Sequence, residues 1–170
     1  MLEKLEAALP HIVNWIDETL SQHADQAQPV SSFGFQRLPE YYPADLLDRT
    51  KVVLVPKVPV PPLSTLGLPE FSDFVNGDYA GITFKDTCFL KASEAESESL
   101  HFHEMVHIVQ WAHLSVERFL LAYAAGLAAH GYRDSPLELM AYTLQELFER
   151  GTRMEGLEAA ICRKLDELHT

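Results

Sequence analysis

The chain has 170 residues, 47% of them apolar and 22% charged, with thirteen Lys+Arg against twenty-five Asp+Glu and a formal net charge of −12. That length and composition fit one globular domain able to bury a real core without disulfide staples. The acidic balance, which no basic cluster reverses locally, argues against nucleic acid and anionic membrane as partners.

Residues 2–22 carry Leu2, Leu5, Leu9, Ile12, Val13, Ile16 and Leu20 at spacings of three and four, which predicts an amphipathic helix kinked or split at Pro10. Charged and apolar residues alternate along it, unlike the uninterrupted apolar core of a secretory leader. Residues 24–48, rich in Gln, Ser and Pro with paired Tyr41 and Tyr42, read as irregular connection. Residues 52–55 are short and β-branched and lead into a proline-dense run, so a strand followed by an extended loop is expected. A hairpin is predicted from residues 82–84 and 88–90 around Lys85, Asp86 and Thr87.

Everything beyond reads as helix. Ser93-Glu94-Ala95-Glu96 fits a capping box, which predicts a helix from there through His113. A second helix is expected over residues 116–130 with Gly131 as its stop. Ser135 and Pro136 start a third, whose buried stripe is Leu137, Met140, Ala141, Leu144, Leu147 and Phe148. Gly151 punctuates it, and a last helix runs from about Met154. The predicted class is therefore α+β, a small sheet followed by a mostly helical C-terminal half. The longest nearly apolar stretch, residues 119–129, has eleven residues, short of the roughly 20 that span a bilayer. Cys88 and Cys162 lie outside any C-x-x-C spacing, so neither a disulfide framework nor a Cys-rich zinc knuckle is expected. The expectation is a soluble, cytoplasmic protein.

One constellation carries chemistry: His103-Glu104-Met105-Val106-His107, an H-E-x-x-H within a predicted helix. Positions i and i+4 project from one helix face about a turn apart, so two imidazoles can take adjacent corners of a zinc tetrahedron. Glu104 projects beside them, where it can take a proton from an attacking water and deliver it to a leaving amine. Leu100, Phe102, Val106, Ile108, Val109 and Trp111 surround the motif, which points to a buried helix where unpaired histidines would be costly.

A hydrolytic zinc needs a third protein ligand and one open position. His113 stands about 15 Å from His103 along an unbroken helix, too far to share the metal, and Gln110 replaces the glycine that would let the chain turn back; a core or cleft role is expected for His113. Glu138 is the preferred third ligand, with Glu117, Glu146 and Glu149 as alternatives. Glu138 has a competing explanation, since Ser135 and Glu138 also form an S-x-x-E capping box.

HEMVHIVQW, followed by Phe119-Leu120-Leu121-Ala122-Tyr123, by Gly131-Tyr132 and by SPLELMAY, resembles the zincin metallopeptidases of the glutamate-zincin kind, to which thermolysin belongs. The likeness is greatest to small bacterial members with HExxHxxQ and a later P-L-E-x-x-A-Y pattern, and it covers about residues 81–150. It implies a single zincin-like domain spanning 1–170, with a small sheet, an active-site helix and a helix supplying the third ligand. It further implies one Zn2+ per chain held by His103, His107 and Glu138, with Glu104 as general base in peptide-bond hydrolysis. The implied partner is a peptide or protein substrate, which would add as an extra strand where a sheet edge borders the cleft. Related sequences often carry an acid two positions after the one matching Glu138, where this chain has Met140.

Tyr142, one turn after Glu138 on the same face, is a candidate to stabilise the oxyanion, as are Tyr132 and His130. His101 is expected to face solvent or to stand behind the ligands, and Gln110 to stand behind His107. A zinc-binding but catalytically silent module is the competing reading, since 170 residues leave little chain for a separate substrate lobe. A structural helical protein without metal is the third.

Overall fold

A computed structural model describes residues 2–168. The first helix, α1 (Leu2–Gln22), runs unbroken through Pro10, so the expected split does not occur. Proline removes one backbone hydrogen bond, but Leu5, Ala8, Leu9, Ile12 and Ile16 are buried on both sides of it and hold the two halves to one core. Val13 and Leu20 lie half-buried at the edge of that stripe. The side chain of Leu2 lies outside the described residues.

Residues 24–48 are more regular than their composition indicates. They form three short 3-10 turns, the two-residue strand β1 (Gln28–Pro29) and the helix α2 (Ala44–Arg49). Val30, Leu38, Tyr42, Leu46 and Leu47 are buried anchors set among the polar residues. Next come β2 (Lys51–Val55), the proline-rich segment, a one-turn helix α3 (Ser72–Val75), and the hairpin of β3 (Gly81–Phe84) and β4 (Thr87–Lys91). Thr87 belongs to β4, leaving only Lys85 and Asp86 in the turn, with Lys85 at φ 56°.

The sheet order is β1-β2-β4-β3. β1 pairs antiparallel with β2, β2 parallel with β4, and β3 antiparallel with β4, which leaves β3 at an edge. Val52, Val53, Phe89 and Leu90 are fully buried and form the floor on which the helices sit.

α4 (Glu98–Leu114) begins later than the Ser93 capping box predicts. Residues Ala92–Glu94 are a 3-10 turn leaving β4, and Ser97 is the N-cap, its Oγ accepting the Leu100 amide at 3.3 Å. Glu98 accepts the amides of Arg37 and Leu38, both at 2.8 Å, which pins the N-terminal segment to the start of α4. Residues 101–111 of α4 are buried without interruption, with β3 packed on one part of the helix and α5, α6 and α7 on the rest.

Ser115 alone joins α4 to α5 (Val116–His130), in a backbone conformation of φ 66° and ψ 165°. α6 (Pro136–Glu149) follows with Ser135 as N-cap, although its hydroxyl donates to the Tyr132 carbonyl rather than capping. α7 (Leu157–Leu168) starts three residues later than predicted, after Gly156 at φ 62°. The architecture is α+β in a single domain. Both cysteines are free, and among the described residues no helix is long and apolar enough to cross a membrane.

Candidate metal centre

α4 and α6 bring His103, His107 and Glu138 together, with exposures of 3%, 4% and 3%. The two Nε2 atoms are 3.2 Å apart. His103 Nε2 lies 3.4 Å from Glu138 Oε2, and His107 Nε2 lies 3.4 Å from Glu138 Oε1. A tetrahedron with bonds of about 2.0–2.1 Å has edges of about 3.4 Å, so the spacing of this donor set fits a zinc-sized cation. Among the described residues, Tyr123 donates to Glu138 Oε1 at 2.6 Å, whereas buried Oε2 has no hydrogen-bond donor. Such an orphaned oxygen calls for a positive partner.

Electrostatics agree with this placement. Burial alone would raise the Glu138 pKa, but the His107 charge and the close approach of both imidazoles outweigh it and hold the carboxyl well below the usual range. Burial alone would likewise disfavour a charged His107, yet the Glu138 carboxylate lifts its pKa to about 9. Without a cation, the pocket therefore keeps a proton instead.

Glu104 is 2% exposed and turns toward β3. Its Oε2 accepts the Thr83 hydroxyl at 2.7 Å. Burial raises its pKa, against the pull of both imidazoles and the Thr83 hydrogen bond. Oε1 fits against the bare backbone of Gly81, where a Cβ would fall 2.5 Å from Oε1 and 2.8 Å from Leu90 Cδ2.

Beside Glu104, His107 and Glu138 lies a cavity of about 70 Å3, walled by Phe74, Tyr79, Tyr123, Leu127 and Tyr132. Leu5 and Ile12 of α1 also line it, so the N-terminal helix helps to enclose the site. β3 borders the cavity as an edge strand, but the Thr83 carbonyl accepts the Trp111 indole N–H at 3.1 Å. Gly81, two residues earlier on that strand, is itself buried against Glu104.

Tyr142 stands beside the centre rather than on the cavity wall. Its ring is 4.6 Å from that of His103 and packs edge-on at 6.5 Å from that of Tyr132, and the Arg133 guanidinium lies 4.4 Å over it. Tyr132 itself lines the cavity. His130 is exposed and does not line the cavity; it borders a separate groove with Asp134 and Leu139.

Other expectations need correction. His113 is neither core nor cleft: at the end of α4 it reaches the surface and pairs with Asp166 of α7 at 2.7 Å. His101 does not face solvent. It is 2% exposed, packed against the stacked Phe33 and Phe35 rings, with Nε2 bonding the Ala95 carbonyl at 2.9 Å. Glu138 makes no capping box with Ser135, whose amide bonds Tyr132 instead. Glu117, Glu146 and Glu149 are exposed, and none of them joins the buried group of His103, His107 and Glu138.

Three neighbours escaped the sequence: Thr83 on Glu104, Tyr123 on Glu138, and Gln145, whose Oε1 meets His103 Nδ1 at 3.0 Å. Only Gln145 had a signal, since it lies seven residues after Glu138 on the same face of α6. No family model matches the chain, and neither a curated protein nor a solved structure matches it.

Proposed function

We propose that the chain is a zinc-dependent metallopeptidase of the zincin type. The observation that carries the reading is the convergence of two imidazole Nε2 atoms and a carboxylate at 3.2–3.4 Å, buried and short of donors, with a second carboxylate alongside. The H-E-x-x-H spacing and the resemblance to glutamate-zincins support it. His103, His107 and Glu138 would hold the ion, and two nitrogens with one oxygen are a ligand set typical of hydrolytic zinc. Bound there, zinc supplies a Lewis acid that polarises a carbonyl and acidifies a water.

Glu104 is the general base in this reading. It accepts the proton of the water attacking the scissile carbonyl and returns it to the amine nitrogen as the C–N bond breaks. Thr83 steadies its Oε2, and Gly81 leaves room for Oε1. The tyrosine hydroxyls around Tyr132 and Tyr142 supply neutral donors for the oxyanion.

The test has two stages. Elemental analysis of protein purified without added metal or chelator should find about one zinc per chain, largely lost in a folded Glu138→Ala variant. Glu104→Gln should keep the zinc and lose about 10²–10⁴-fold in peptide cleavage. Zinc retained by Glu138→Ala moves the third ligand elsewhere, and undiminished cleavage by Glu104→Gln removes the base. A second reading, a zinc-binding but silent module, is favoured by the Trp111 cover on Thr83 and the narrow cavity. It predicts no products from a mixed peptide library at full zinc occupancy.

A further inference from the structure

Two glutamines stand behind the histidines, and their hydrogen bonds can be oriented one after another. Gln110 is fully buried, with Nε2 3.1 Å from the Leu137 carbonyl and Oε1 2.7 Å from His107 Nδ1. A carbonyl only accepts, so the amide nitrogen faces Leu137 and the amide oxygen faces His107. That oxygen also only accepts, so Nδ1 of His107 carries the hydrogen. Gln145 repeats the relay from α6. Its Nε2 donates to the Glu149 carboxylate at 3.0 Å, which turns Oε1 toward His103 Nδ1 at 3.0 Å. Each neutral imidazole is left with a bare Nε2, and both Nε2 atoms face the Glu138 carboxylate.

We propose that Gln110 and Gln145 are the positioning residues of this centre: two neutral amides hold His103 and His107 in the tautomer that offers Nε2 to a divalent cation. The inference rests on the metal reading above. Gln110 has a second task, because Leu137 precedes Glu138; one buried amide thereby sets the His107 ring and ties it to the turn of α6 that carries the carboxylate. An amide fixes the tautomer without placing negative charge behind the ring, so these imidazoles are weaker donors than carboxylate-backed ones.

Gln145 is half-buried and gives the cleaner test. Gln145→Leu removes the acceptor at similar volume, while Gln145→Glu keeps an acceptor and adds charge. Zinc affinity is measured by competition with a chromophoric chelator, alongside imidazole 15N spectra of the zinc-loaded protein. The expected result is hydrogen on Nδ1 of both ligands, an affinity about 10- to 100-fold weaker in Gln145→Leu, and wild-type or tighter affinity in Gln145→Glu. Gln110→Leu, checked for fold by circular dichroism, should show a loss of the same order. Equal affinity in wild type and Gln145→Leu, or zinc carried on Nδ1, overturns the role of the amides and leaves the centre standing. A wild type that takes up no zinc overturns the centre and the amides together.

Discussion

Glu104 has its position set by what Gly81 lacks. An alanine there would place a Cβ 2.5 Å from Glu104 Oε1 and 2.8 Å from Leu90 Cδ2, so the carboxylate or the strand must move. Displacing a reacting group by about 1 Å costs on the order of 10²-fold in rate, so Gly81→Ala should lower peptide cleavage by about that factor with zinc content unchanged; full activity would show that Glu104 needs no such seat. His107 gives a pH prediction for the chelated protein. Its folded pKa of about 9 lies above the ordinary 6.5, because the Glu138 carboxylate outweighs burial. A raised pKa adds stability that is complete below about 6.5 and is lost as pH rises through 9. Thermal denaturation in chelator should therefore show Tm falling over that interval, with the fall absent in a folded His107→Gln variant. At this scale the sequence was legible wherever helical spacing linked the groups, as for His103, Glu104 and His107. It was silent where the partners lie 21 or 15 residues apart, as for Thr83 with Glu104 and Tyr123 with Glu138, and only the helical spacing from Glu138 hinted at Gln145, whose partner His103 is 42 residues away.

The helices joined by Ser115 meet at a backbone conformation that glycine adopts far more readily than serine. Relief of that strain, less the extra unfolded-state freedom of glycine, should make Ser115→Gly more stable by about 1 kcal/mol. Urea unfolding checks it, and a lower midpoint at constant m would show that the serine is not strained. Elements whose own residues specify them were readable in advance: the β-branched β2, the hairpin of β3 and β4, α5 with its Gly131 stop, and α6 with Ser135 and Pro136 at its start. β1 and α2 were not. Two residues of strand have no periodicity, and β1 exists because Gln28 and Pro29 pair with Val52 and Lys51. α2 is six residues long, and burial of Leu46 and Leu47 accounts for it better than any propensity. The start of α4 was misplaced for a related reason. Two serines compete as caps, and the bonds from Arg37 and Leu38 to Glu98, some 60 residues away in sequence, favour Ser97.

Across the whole molecule α4 is the shared wall, buried along residues 101–111 between the sheet and the other helices. A cation held between α4 and α6 only in the folded chain would stabilise all of it. Zinc at a thousandfold excess over its Kd adds about 4 kcal/mol, which should raise Tm by roughly 8–16 °C for a chain of this size, reversibly on chelation. An unchanged Tm with zinc present would favour the purely structural reading. The single-residue joint at Ser115 also makes α5 a mechanical arm. Tyr123, whose hydroxyl bonds Glu138 at 2.6 Å, lies eight positions along that arm, about 12 Å from the pivot. A rotation of about 5° at the elbow moves the hydroxyl by about 1 Å, enough to part that bond. Torsion at one exposed surface residue is thus geared to a buried carboxylate that Tyr123 touches half a helix away.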